Sequence, residues 1–121
     1  MDQDPIAIVA ARRTPMGSFQ GELGTVSAPE LSATANRAAL SDSGLDAAAI
    51  DEVLLGCVLP AGLGQAPARQ AALSAGLPVG VPCTTINKVC GSGMKAALLG
   101  HDLIKAGSAE IVLAGGMESM S

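Results

Sequence analysis

Residues 83–116 read CTTINKVCGSGMKAALLGHDLIKAGSAEIVLAGG, and this stretch decides the fold. Cys83 to Val89 is rich in β-branched residues and reads as a strand. Gly91 or Ser92 to Ala106 reads as a helix with Gly107 at its end. Glu110 to Ala114 is a second strand, closing on Gly115-Gly116. Strand, helix and strand in one continuous run make a βαβ unit, the device that joins parallel strands in one sheet.

Working outward, Pro67 to Ala75 reads as a short helix stopped by Gly76 and Pro78, and Pro60 to Gln65 as a glycine-containing loop. Val53 to Leu59 is another strand. Ser27-Ala28-Pro29-Glu30 is a helix start: Ser27 can cap, Pro29 suits the first turn, and Glu30 can complete a capping box. Leu31, Ala35 and Ala38 then share a face, and Gly44 is the stop. Arg13 to Thr25 is rich in Gly, Ser and Thr and reads as a loop. Ile6 to Ala10 is a short apolar run that reads as a buried strand. The order β-α-β-α-β-α-β predicts an α/β fold, a mainly parallel sheet with helices on its faces, in one unit over residues 1–121. No internal repeat or linker divides it.

Composition narrows the function. Hydrophobic residues make up 49% of the chain but aromatics only 1%, so the core must be Ala, Val, Leu, Ile and Met. Net charge is −4 with no Lys/Arg cluster, which argues against nucleic acid as a partner. The acidic start Met1-Asp2-Gln3-Asp4 does not resemble a secretory signal, and no run approaches a membrane span. A cytoplasmic home is expected. The three cysteines, Cys57, Cys83 and Cys90, are odd in number and lack C-x-x-C spacing, so reduced thiols fit better than disulfides or a zinc site.

The helix after Cys90 is apolar round most of its circumference, through Met94, Ala96, Ala97, Leu98, Leu99, Leu103, Ile104 and Ala106, with His101, Lys95, Asp102 and Lys105 as a narrow polar stripe. Such a helix expects cover on both sides, and a sheet supplies only one. Cys90 itself stands where strand hands over to helix, followed by Gly91-Ser92-Gly93. Unpaired N–H groups at a helix start favour thiolate, and the glycines Gly91 and Gly93 permit a sharp supporting turn. The placement resembles a nucleophile elbow with Cys in place of Ser, whose own N–H would face a developing oxyanion. The plainer alternative is an inert buried cysteine.

Val89-Cys90-Gly91-Ser92-Gly93-Met94-Lys95-Ala96 resembles the active-site signature of thiolases. Three more blocks follow the family in order. Arg12-Arg13-Thr14-Pro15 with Gly17-Ser18-Phe19 is similar to the segment after its first strand. Gly56-Cys57-Val58-Leu59-Pro60-Ala61-Gly62 with Gln65-Ala66-Pro67-Ala68-Arg69-Gln70 is similar to the next block, and Gly115-Gly116-Met117-Glu118-Ser119-Met120-Ser121 to another. The acetyl-CoA acetyltransferase branch is the nearest likeness. The resemblance implies a three-layer α/β/α architecture, the partial first half of a duplicated five-stranded mixed-sheet fold. Its fifth strand, inserted between the first and fourth, lies outside these residues. It implies that Cys90 takes the acyl group from an acyl-CoA, that a second acetyl-CoA condenses with it, and that no metal or prosthetic group takes part. It also implies a homo-oligomer, associating through the edge of the strand before Cys90. The family's second cysteine, activating histidine, Asn/His pair and CoA-binding loop region come from later sequence. Neither Cys57, Cys83 nor His101 matches those motifs, so the chain alone is expected to be catalytically incomplete: a fragment, a truncated gene or one part of a split protein.

Other residues carry blander expectations. Cys57 and Cys83 read as small core residues, His101 and Lys95 as polar-stripe residues, Glu118 as a packing or hydrogen-bonding group, and Arg12 and Arg13 as surface charge. The competing class is a non-catalytic interaction module associating through strand edges or the apolar helix. A decarboxylating ketoacyl synthase is disfavoured by the Gly115–Ser121 block.

Overall fold

The computed structural model describes residues 5–121; the acidic segment 1–4 lies outside them. Three helices and three strands alternate after an N-terminal loop: α1 (Ala28–Ser43), β1 (Glu52–Gly56), α2 (Pro67–Ser74), β2 (Cys83–Ile86), α3 (Ser92–Lys105) and β3 (Val112–Gly116), with a 3-10 turn at Ala47–Ala49. The sheet has order β2-β1-β3 and is parallel throughout.

Strand alternation sorts the side chains into two faces. Val53, Leu55 and Cys57 point toward α1 and α2 and form the main core with Ala28, Ala33, Ala68, Ala71 and Ala72. Leu54 and Gly56 point toward α3, where a Cβ placed on Gly56 would run into Ser92. The β1–α2–β2 crossover leaves on one side of β1 and the β2–α3–β3 crossover returns to the other. Two right-handed connections running in opposite directions put their helices on opposite faces. The result is the expected α/β/α sandwich.

Capping of α1 follows the sequence. Ser27 Oγ accepts from Glu30 N–H at 3.3 Å, Pro29 lies in the first turn, and Gly44 closes the helix at φ +71°. The buried stripe differs. Ser32, Ala33 and Asn36 are buried, while Leu31, Ala35 and Ala38 are half-buried at the margin. Small residues let α1 approach α2 closely, and Asn36 Nδ2 satisfies itself on Ser32 Oγ at 3.2 Å.

The apolar run Ile6 to Ala10 forms no strand. Ile8 is 89% and Val9 65% exposed. A strand needs a neighbour to pair its N–H and C=O groups. Both edges of β1 are taken by β2 and β3, and the expected fifth strand, which would stand between Ile6–Ala10 and the open edge of β3, is not among residues 5–121. The expected β-α-β-α-β-α-β order therefore loses its first member. The apolar helix behaves as expected of one covered on a single side: Ser92, Ala96 and Gly100 are buried against the sheet, while Met94 and Leu98 are more than half exposed.

Candidate active site

Parallel strands bring all three carboxyl ends to one edge, the place where open α/β sheets form their crevices. A cavity of about 430 Å³ opens there. Val58 and Leu59 line it from the end of β1, Val89 and Cys90 from the β2–α3 turn, and Met117 and Met120 from the segment after β3.

Cys90 is exposed at this cavity. The preceding residue, Val89, has φ +47°, a left-handed conformation that a β-branched residue adopts only under constraint. Three sets of bonds hold it. Gly91 N–H donates to Lys88 O at 3.0 Å and Ser92 N–H to Val89 O at 3.1 Å. Asn87 Oδ1 accepts from Val89 N–H at 3.0 Å, and its Nδ2 reaches Val58 O at 3.4 Å. Ser92 Oγ accepts from Lys88 N–H at 2.8 Å and donates to Val89 O at 2.6 Å. Gly91 is the N-cap of α3 and offers no side-chain acceptor to the first turn.

Glycines set how close α3 can come. A Cβ on Gly56 would lie 2.6 Å from Ser92 C and Cβ, and one on Gly116 would lie 3.1 Å from Gly93 Cα. Gly56 and Gly116 are thus the packing glycines that seat α3 on the sheet, whereas a Cβ on Gly93 would make only ordinary contact, 3.6 Å from Gly116, and Gly91 belongs to the turn itself. Glu118 braces the opposite wall: its two carboxylate oxygens accept from Val58 and Leu59 N–H, each at 2.8 Å. Those bonds end β1 at Gly56, short of the expected Leu59.

The remaining candidates stand apart. Cys57 is buried under the sheet, where burial and the nearby Glu118 charge push its thiol pKa up against the opposing pull of a Leu59 backbone bond. Cys83 is half-buried on β2; burial raises its pKa, Arg69 opposes the rise and Glu52 adds to it. His101 is exposed on α3, 3.2 Å from Asp102, and does not line the cavity. Lys95 is half-buried in the first turns of α3. Arg12 forms a two-pronged ion pair with Asp42, and Arg13 donates to Thr14 O at 2.9 Å. Among the described residues no group of His, Cys, Asp and Glu is placed to hold a metal, and no helix is long and apolar enough to cross a membrane. Sequence reasoning singled out Cys90, Gly91 and Gly93 and missed Asn87 and Ser92, whose polarity beside the cysteine was the available signal.

Residues 6–121 match the thiolase N-terminal domain. An acetyl-CoA acetyltransferase of Pseudomonas aeruginosa is 60% identical over 116 residues, covering 96% of this chain and 30% of the relative. Acetyl-CoA acetyltransferase 2 of Arabidopsis thaliana is 53% identical over the same share of the chain and 29% of its own length. The crystal structure of a thiolase from Ascaris suum in complex with coenzyme A superposes with a TM-score of 0.87 at 42% identity, over 89% of this chain and 28% of that one. The chain spans about 30% of the length of the curated relatives it matches. With the family's motif blocks in order, its sandwich formed and nearly the whole chain matched, this chain belongs to the thiolase family, as its N-terminal domain.

Proposed function

We propose that this domain carries the nucleophilic half of an acyl-CoA acyltransferase, with Cys90 as the residue that accepts the acyl group. The observation that carries the reading is the placement of Cys90: exposed, after a strained left-handed Val89, at a cavity on the carboxyl edge of a parallel sheet. The names of the relatives supply the substrate class, acetyl-CoA, and the coenzyme A held by the Ascaris suum enzyme agrees with it.

The chemistry follows from thioester exchange. The Cys90 sulfur, as thiolate, attacks the acetyl carbonyl carbon of acetyl-CoA. The oxygen takes the negative charge in the tetrahedral intermediate, where the Cys90 N–H is the donor nearest in sequence. The carbon–sulfur bond to CoA then breaks, and CoA leaves as a thiol after taking a proton. A second acetyl-CoA loses an α-proton to a base and forms a carbon–carbon bond to the acetyl group. The Cys90 thiolate leaves, giving acetoacetyl-CoA. Thiolysis is the same path reversed. Holding the acyl group on sulfur keeps it electrophilic and divides one hard step into two; no metal or prosthetic group enters the balance.

By this reading the acid/base cysteine, activating histidine, Asn/His pair and CoA-binding loop belong to thiolase sequence outside these 121 residues. Further thiolase structure would cover Met94 and Leu98 on α3 and the free edge of β3. A cytoplasmic homo-oligomer, associating along the β2 edge, fits the same reading.

The test is mass spectrometry after incubation with acetyl-CoA, beside Cys90→Ser. The expected result is one acetyl adduct on Cys90, absent from the variant. Lack of an adduct while Cys90 still reacts with iodoacetamide would refute acyl transfer by this domain alone.

A further inference from the structure

Ser92 holds the peptide that joins Val89 to Cys90. Ser92 is buried, 5% exposed, and both hydrogen-bonding roles of its hydroxyl are filled within the turn. It accepts from Lys88 N–H at 2.8 Å and donates to Val89 O at 2.6 Å. The second bond matters most. Val89 C=O and Cys90 N–H belong to one planar trans peptide, so they point in opposite directions. Fixing the carbonyl toward Ser92 fixes the Cys90 N–H away from α3. Val89 O also accepts the Ser92 backbone N–H at 3.1 Å, so two donors from one residue hold that oxygen. A carbonyl accepting two bonds polarises its own amide and strengthens the N–H as a donor. The Cys90 N–H takes no hydrogen-bond partner among the described residues.

The conformation so held is costly. Val89 at φ +47° is disfavoured, and the turn persists only if its surroundings over-determine it. Ser92 is itself fixed from behind. Gly56 leaves no room for a Cβ on that side, so β1 backs directly onto the Ser92 backbone and Cβ.

We infer that Ser92 is a positioning residue for acyl transfer: through Val89 O it aims and polarises the Cys90 N–H that meets the developing oxyanion. This rests on the reading of Cys90 as acyl acceptor. A role confined to holding up the turn would affect every reaction of the thiol alike. A role through the N–H affects only reactions that build an oxyanion.

The experiment compares two reactions of Cys90 in the 121-residue chain. Acylation by phenyl thioacetate, a small activated thioester, passes through a tetrahedral oxyanion. Alkylation by iodoacetamide displaces iodide and builds none. Both rates are read at Cys90 by peptide mass spectrometry in wild type, Ser92→Ala and Ser92→Cys, with circular dichroism to confirm folding. Loss of one oxyanion donor slows catalysis by about 100-fold or more, so a misaimed one is expected to lower the acylation-to-alkylation ratio of Ser92→Ala by at least about tenfold. Ser92→Cys keeps the volume with a weaker donor and should fall between the two; it carries the comparison alone if Ser92→Ala does not fold. An unchanged ratio, whether both rates fall together or neither does, overturns the inference. Phenyl thioacetate needs no CoA site. A chain that resists acetyl-CoA but shows the Ser92-dependent ratio therefore counts against acyl transfer from acetyl-CoA by this domain alone while leaving the positioning role intact.

Discussion

Gly56→Ala is the sharpest perturbation of the candidate site, because it adds a single methyl where three backbone elements meet. The new Cβ would stand 2.6 Å from Ser92 C and Cβ and 2.9 Å from Gly93 N. Ordinary contact begins near 3.4 Å, so something must move by about 0.8 Å. β1 cannot yield easily, since Gly56 pairs with Ile86 on one side and Gly116 on the other. The contacted atoms on α3 are backbone and Cβ, not the tip of a flexible side chain. The start of α3 must therefore lift, and the Cys90 turn with it. Overpacking of this kind costs about 1–3 kcal/mol, which for a chain of this size lowers Tm by roughly 3–15 °C. A displacement approaching 1 Å at the reacting groups is worth up to about 100-fold in rate. Gly44→Ala is the matched control. Gly44 sits at φ +71° with nothing within 4 Å of the added Cβ, so it costs about 1 kcal/mol from the left-handed conformation alone and should leave Cys90 untouched. Urea unfolding and the acylation rate of Cys90 are measured for both. If Gly56→Ala matches Gly44→Ala in both readouts, the α3 start is not rigidly seated on β1, and the account of the turn fails.

Other outcomes follow from the same structure. Asp51 Oδ2 accepts from the Glu110 and Ile111 N–H groups at 2.9 and 3.0 Å, and these bonds, Glu110 first, hold its carboxyl below the usual aspartate pKa. A depressed folded-state pKa stabilises above the unfolded value, about 3.9, and that contribution is lost as pH falls through the folded value. Asp51→Asn should thus be less stable than wild type at neutral pH, with the two Tm curves converging at the acid end; curves parallel down to pH 2 would contradict this. Iodoacetamide on the native chain should label Cys90 first, because Cys57 is 1% exposed and burial raises the thiols of both Cys57 and Cys83; equal labelling of all three by peptide mapping would show that the core opens readily. Glu118→Gln replaces one of two accepting oxygens with an amide donor facing an N–H, so urea unfolding should show a loss of about 1–3 kcal/mol, and no loss would mean that water replaces the brace.

The layout of this domain was legible because its punctuation is local. Ser27, Pro29 and Gly44 bound α1 by rules that act within one turn, and the Val-Cys-Gly-Ser-Gly run marks a strand-to-helix turn without reference to anything distant. Strand ends were misjudged where a side chain far away in sequence takes the backbone groups. Glu118 takes the N–H groups of Val58 and Leu59 and stops β1 early. Asp51 takes those of Glu110 and Ile111, so β3 starts at Val112 and runs on through Gly115 and Gly116 opposite Leu55 and Gly56. Hydropathy carries no trace of either carboxylate's partner. Ile6 to Ala10 departs from expectation for a related reason: an apolar run states a preference for burial, but pairing belongs to the neighbour, and among the described residues no strand lies beside it. The same distinction explains Ser92. Its sequence position marks it as a small residue opening a helix. Its work in the turn, seated against Gly56 thirty-six positions earlier and bonded to the Val89 carbonyl, exists only once β1, β2 and α3 have come together. The candidate nucleophile is written in the local sequence, whereas the geometry that would let it act is a property of the assembled sheet.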